Sequence, residues 1–216
     1  MEQKQPKRPR GRPRAYDPDQ ALVRATESFW RGGFSGTSLD DLAAATGMNR
    51  PSLYGAFGDK RELYLAALDR YVESSRSDMA RMLSEDVPVA VGVQRVYRGA
   101  LELYFANPEA PLGCFLIGTA ATEAARDDKV RETLGSGLRE LTRAFETRFR
   151  SARERGELPR EVDPALLSEL AGAVLHSLAL RARAGDSRAA LEAFARDAVA
   201  FLVPARPKRK GSRRKR

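Results

Sequence analysis

Apolar residues recur at helical spacing from Pro18 to Val203, and no stretch alternates at the two-residue period of a strand with β-branched enrichment. Leu22, Thr26, Phe29 and Trp30 share one face of a first helix that stops at Gly32-Gly33. Leu39, Leu42, Ala43 and Thr46 follow at i, i+3, i+4 and i+7, ending at Gly47. Leu53 and Phe57 mark a short third helix, and Leu63, Ala67, Tyr71, Ser75 and Met79 carry a longer fourth. Beyond Pro88, Val93, Tyr97, Leu101 and Tyr104 predict a fifth helix ending near Asn107-Pro108. Cys114 to Arg126 reads as a helix rich in small residues, with Gly118, Ala121 and Ala125 on one face. Val130, Leu134, Leu138, Leu141, Phe145 and Phe149 predict a long helix that Gly135 and Gly137 are expected to kink. Asp163-Pro164 opens another helix with an N-cap followed by proline, and a last one runs from about Ser187 to Val203. The expected fold class is all-α, without internal repeats.

The stretch from Gly36 to Leu63 carries the most chemistry. Ser38 is a good N-cap, and Asp40 and Asp41 place carboxylates where a helix N-terminus favours them. Gly47 supplies a left-handed turn, Asn49 caps the next helix, and Pro51 falls in its first turn, where the missing N–H costs nothing. Ala43, four residues before Gly47, lets the two helices cross closely. Two short helices joined by such a turn form a helix-turn-helix, whose second helix enters the major groove of DNA. With Leu53 and Phe57 turned inward, Arg50, Pro51, Ser52, Tyr54 and Gly55 remain for DNA. Arg50 is the candidate base reader, because a guanidinium bonds guanine O6 and N7 together.

Charge sharpens this picture. The 216 residues hold 38 Lys and Arg against 29 Asp and Glu, a formal charge of +9. The first 14 residues carry six basic groups and one acid, and residues 204–216 carry eight basic groups and no acid. Between them, 15–203 is net −4, an acidic body with two basic ends. A single cysteine, Cys114, rules out an internal disulfide and suits a reducing compartment. A single histidine, His176, leaves no His/Cys cluster at metal spacing and implies no cofactor. The basic N-terminus lacks an apolar signal region, and Ala165 to Leu180, which contains Glu169 and His176, is short for a membrane span. A soluble, cytoplasmic protein with no membrane partner is expected.

The run Gly36-Thr37-Ser38-Leu39-Asp40-Asp41-Leu42-Ala43, then Gly47-Met48, then Leu53-Tyr54-Gly55-Ala56-Phe57-Gly58-Asp59-Lys60-Arg61-Glu62-Leu63 resembles the TetR family of bacterial transcriptional regulators. The L-Y-x-x-F-x-x-K-x-x-L pattern is present at every position, and strong similarity covers about residues 18–72. The resemblance implies a DNA-binding regulator, not an enzyme, in which Thr37, Ser38, Tyr54 and Lys60 hold the phosphate backbone. Gly55 departs from the bulkier residue common at that place. It also implies a homodimer through the last two helices, which the surplus of apolar positions on 163–185 supports. Such a dimer presents reading helices about 34 Å apart and so calls for a near-palindromic operator in double-stranded DNA. The expected division is a basic arm (1–14), a DNA-binding domain (15–75, motif 38–57), a helical ligand-binding and dimerisation domain (76–203) and a basic tail (204–216).

A regulator with its own sensor needs a cavity for a small effector. Leu101, Tyr104, Phe105, Cys114, Phe115, Leu138, Leu141, Phe145, Leu175 and His176 are the candidate lining, which suggests an apolar or aromatic effector. Cys114, expected at a helix start where the dipole lowers a thiol pKa, leaves open a second reading, a repressor that senses oxidants or electrophiles. A third is an architectural DNA-coating protein working through its basic ends. An enzyme lacks support: there is no phosphate-cradling glycine loop and no pair of acids in an apolar setting.

Pro9-Arg10-Gly11-Arg12-Pro13 resembles the AT-hook core, in which an extended Arg-Gly-Arg lies in a narrow minor groove. Arg10, Arg12 and Arg14 are therefore DNA-contact candidates, whereas the tail is read as a solvated extension. Deleting residues 1–13 is expected to weaken operator binding and flatten its salt dependence by about 0.9 log units for each phosphate no longer neutralised. An unchanged slope in a filter-binding or anisotropy titration excludes the arm from the interface.

Overall fold

The caps expected at Ser38, Asn49 and Asp163 are present in the computed structural model, which describes residues 17–107 and 109–204. The Asp17 carboxylate accepts the Asp19 N–H at 2.9 Å and opens α1 (Pro18–Gly36), which kinks at Gly33 with φ 69°. Ser38 and Asp41 form a reciprocal capping box on α2 (Leu39–Thr46). Gly47, at φ 68° and ψ 16°, turns the chain, and Asn49 caps α3 (Arg50–Phe57). Asp59 and Glu62 form a second capping box on α4 (Lys60–Met82). Every one of these caps satisfies N–H groups that a bare helix end leaves without partners.

The rest of the chain is α5 (Val89–Tyr104), a π-helical turn (Leu116–Ala120) running into the short α6 (Ala121–Glu123), then α7 (Asp128–Glu154), α8 (Pro164–Arg183) and α9 (Arg188–Leu202). The all-α fold class is as expected, and no strand occurs among the described residues. Helices α1 and α3 pack on α4, and α2 packs on α1 and α3. The second half of α4 packs on α5 and α7, and α8 lies across α5, α7 and α9. Helix α8 is long and apolar enough to cross a membrane by length and composition alone; here its buried face belongs to this core. The arm residues 1–14, and the tail beyond Pro204, lie outside the described residues.

Two expectations are corrected. Gly135 and Gly137 do not break α7, which runs unbroken. Gly137 instead lets α4 and the π-turn approach, since a Cβ there would stand 2.8 Å from Val72 Cγ2 and 3.0 Å from Leu116 Cδ2. The stretch from Cys114 to Arg126 is not one regular helix, because it widens at Leu116–Ala120 and ends at Glu123. Its small side chains permit the wider turn, and Thr119 holds it by donating to Phe115 O at 2.9 Å and pairing with the Tyr64 hydroxyl at 2.8 Å. The buried face of that segment is Ala120 and Ala124, while Ala121 and Ala125 face solvent.

An aromatic cluster joins the two halves of the molecule. Tyr64 meets Phe29 at 5.0 Å, Phe34 at 5.2 Å and Phe115 at 5.9 Å between ring centroids. Tyr71 and Trp30 close around Phe115 at 5.7 and 5.8 Å. Pairs of this kind add about 0.5–1.5 kcal/mol each beyond their buried area. Burial pushes the Tyr64 phenol up to about 12, so it stays a neutral hydrogen-bonding group.

The Gly47 turn is the local conformation on which the α2–α3 crossing rests. Gly47→Ala, forced into left-handed backbone, is expected to lower stability by about 1–2 kcal/mol, read as a fall in the denaturation midpoint at unchanged helicity.

Candidate nucleic-acid interface and effector cavity

The helix-turn-helix presents α3 at the surface. Leu53 is buried beneath it, while Arg50, Pro51, Tyr54 and Gly55 are exposed and Ser52 is half-buried. Tyr54 is 48 % exposed, so its ring is not a core residue. A Cβ at Gly55 would meet nothing within 4 Å, so packing does not demand glycine there. Lys60 begins α4 with its ammonium 4.5 Å from the Phe34 ring centroid. Arg50 is already paired: its Nε donates to Asp40 Oδ1 at 2.9 Å and its Nη2 to Oδ2 at 2.6 Å, which raises the guanidinium pKa further.

Two residues expected at the phosphate backbone are engaged within the protein. Thr37 is only 3 % exposed, and its hydroxyl donates to Gly33 O at 2.7 Å and lies 3.3 Å from Ser28 O, so the side chain closes the α1 kink. Ser38 stays at the surface, but its hydroxyl donates to Asp41 at 2.7 Å and accepts the Asp41 N–H at 3.1 Å. That contact holds the Asp41 carboxyl below its ordinary range. Arg10, Arg12 and Arg14 lie outside the described residues.

A cavity of about 340 Å³ opens between α4, α5, α7, α8 and the π-turn. Six of the ten residues proposed for it line its wall: Tyr104, Cys114, Leu138, Leu141, Leu175 and His176. The other four do not. Leu101 is buried in the core of α5, Phe105 forms that helix's C-cap, Phe115 belongs to the aromatic cluster, and Phe145 stacks on Phe149 and meets Tyr97 at a tilt. Sequence reasoning missed the wall made by Tyr71, Ser75, Met79 and Met82, because α4 reads as a connecting helix. The signal was there, since Tyr71, Ser75 and Met79 repeat every four residues on the face assigned to the core.

Cys114 overturns another expectation. It is buried ahead of the π-turn, and burial raises its thiol pKa despite a hydrogen bond from the Tyr71 hydroxyl at 3.2 Å and backbone N–H contacts from Ile117 and Leu116. The desolvation outweighs the dipole that the sequence led one to expect. Burial also lowers the His176 pKa, against a weaker opposing pull from Glu169. Among the described residues, no three His, Cys, Asp or Glu side chains converge as a metal site.

These features define a helix-turn-helix DNA-binding protein with an attached helical body holding a cavity. Residues 21–67 match the family model for bacterial regulatory proteins of the tetR family, and residues 93–198 match the tetracyclin repressor-like C-terminal domain. The chain is 32% identical over 182 residues to the HTH-type transcriptional repressor ComR of Escherichia coli (strain K12), covering 84% of this chain and 86% of that one. It is 33% identical to a cysteine mutant of the TetR-family regulator CifR solved with 26-base-pair double-strand operator DNA, at a TM-score of 0.78, covering 87% of this chain and 98% of that one. The chain belongs to the TetR family of transcriptional regulators: it binds DNA and is not an enzyme.

The buried, protonated Cys114 should react slowly. In the folded protein at pH 8, alkylation by iodoacetamide is expected to run at least about tenfold slower than in the urea-unfolded chain. Tyr71→Phe, which removes a donor that steadies the thiolate, should slow it further. Faster reaction in the folded state than in urea would reinstate the dipole-activated thiol.

Proposed function

We infer that this protein is a homodimeric repressor that binds a near-palindromic operator and releases it when a small apolar molecule fills the α4–α8 cavity. The observation that carries this reading is that one helix does both jobs. The first turns of α4 bury Leu63, Tyr64, Ala67 and Leu68 where α1 and α3 pack on it, and its later turns wall the cavity with Tyr71, Ser75, Met79 and Met82. On this reading, residues 15–75 are the DNA-binding unit and 76–203 the sensing and dimerisation unit.

At the DNA, Arg50, Pro51, Ser52, Tyr54 and Gly55 face the major groove. Ser38, Tyr54 and Lys60 approach the backbone, and Arg10, Arg12 and Arg14 extend the contact into the minor groove. Further contacts tie the DNA-binding unit to the sensing one. Arg61 forms a bidentate pair with Asp127, the N-cap of α7, and Ser35 donates to Glu123 at 3.0 Å. A change in the cavity wall therefore reaches the reading helices through rigid elements.

Dimerisation is supported by an unsatisfied apolar stripe. Leu166, Leu170 and Leu180 of α8 and Phe201 of α9 are 60%, 44%, 56% and 82% exposed in the single chain. Large exposed apolar side chains grouped on two adjacent helices mark an association face. The effector is read as apolar because Met79, Met82, Val96, Leu103, Ile117, Leu138, Leu141 and Leu175 dominate the cavity wall. The volume is at the lower end of what small-molecule sites use, about 300–1,000 Å³. Cys114 enters this reading as part of that wall.

Sequences recovered by the protein from a random DNA pool should contain an inverted repeat, preferred over random DNA by at least about 10³ at physiological salt. Binding without sequence preference would favour an architectural role. A screen of apolar small molecules for release of the selected DNA should yield compounds that release the unmodified protein. Ala100→Trp, which fills the cavity, should keep operator affinity and ignore them. Equal release from both proteins would place the effector elsewhere.

A further inference from the structure

We propose that Asp40 is a specificity-determining positioning residue: it grips one edge of the Arg50 guanidinium so that the opposite edge meets a guanine end-on. This rests on the reading of Arg50 as a base-contacting residue. Arg50 is the first residue of α3 and Asp40 the second of α2, so the pair bridges the two helices of the motif. The carboxylate takes the Nε–H at 2.9 Å and one Nη2–H at 2.6 Å. A guanidinium carries five N–H groups in one rigid plane. Asp40 therefore uses the inner edge and leaves Nη1 and the second Nη2–H pointing away. That remaining pair has the spacing of guanine O6 and N7.

An acid at position 40 also suits the first turn of α2, where the helix dipole favours a carboxylate, but that role asks for no particular partner. The cap of α2 is made by Ser38 and Asp41, and the Asp40 side chain is 73% exposed. Its partner is 55% exposed, and an ion pair in that setting does little for stability. Yet Asp40 stands on the face that meets a polyanion, in a stretch (15–57) already net −2. A free carboxylate there opposes docking. Held against Arg50, it instead stops the long side chain from swinging to a phosphate, and it orders the reading edge before DNA arrives. A base presenting a donor at that edge, such as adenine with its N6 amino group, then meets donors it cannot pair with. The pair costs some overall affinity and returns discrimination at one base.

The test compares the sequences selected from a random DNA pool by the full-length protein and by Arg50→Ala, Asp40→Ala and Asp40→Asn. Arg50→Ala identifies the position that Arg50 reads, where the unmodified protein should prefer guanine by about ten- to a hundredfold. In Asp40→Ala the preference at that same position should fall to within about threefold of the next base, and affinity for random DNA should stay equal or rise. Asp40→Asn, which keeps one acceptor, should lie between the two. Circular dichroism should be unchanged in all three, because the pair is exposed. Unchanged guanine preference in Asp40→Ala, or a change at a different position, overturns the inference and leaves the regulator reading standing. If the unmodified protein selects no sequence, both fall.

Discussion

The constraint on which the molecule depends is that α4 is shared. Its first turns are the floor on which the helix-turn-helix sits, and its later turns are a wall of the cavity. The Tyr64 hydroxyl on Thr119, with the rings of Tyr64, Tyr71 and Trp30 packed around Phe115, welds that helix to the π-turn. A regular α-helix in place of the π-turn would have a different residue register beyond Phe115. The widened turn holds Thr119 in its contact with Tyr64 while Cys114 and Ile117 look into the cavity. A π-turn inside a helix is uncommon, and this one borders the cavity.

The reading head shows how little of the chain's formal charge bears on specificity. The basic surplus belongs to the two ends, whereas the motif itself carries more acids than bases. Of the acids, Asp41 caps α2, Asp17 caps α1, and Asp40 is engaged with Arg50. The acids of the head thus hold helix ends and one arginine, and discrimination depends on where a few donors are held.

The sequence made the helix-turn-helix legible almost to the residue because its signals are local. Ser38, Gly47 and Asn49 each act on backbone groups within four positions, so their roles hold whatever the rest of the chain does. The cavity was only half legible, for the opposite reason. Leu101 and Leu141 are equally apolar and both sit on helices bordering the cavity, yet one faces solid core and the other empty space. Helical periodicity separates inside from outside; it does not separate filled from hollow. Cys114 departs from expectation for a related reason. A thiol ahead of a helix is judged in sequence by its neighbours, and burial by distant elements decides its pKa.

Apolar occupancy of the cavity can act on DNA only if the arrangement that opens it differs from the arrangement that spaces the reading helices. A ligand binding both arrangements equally shifts nothing, and moving a population from 99:1 to 1:99 needs a differential of about 5.5 kcal/mol. Burying about 200 Å² of apolar ligand surface supplies about 5 kcal/mol, which is the right scale provided nearly all of it disappears when the cavity closes. The 23 residues of α4 make this feasible. At about 1.5 Å per residue the helix is about 35 Å long, so a tilt of about 5° displaces one end by about 3 Å relative to the other. A shift of that size breaks major-groove hydrogen bonds that tolerate only tenths of an ångström. The aromatic cluster and the Arg61–Asp127 pair are the contacts that join the N-terminal half of α4 to the cavity-bearing body.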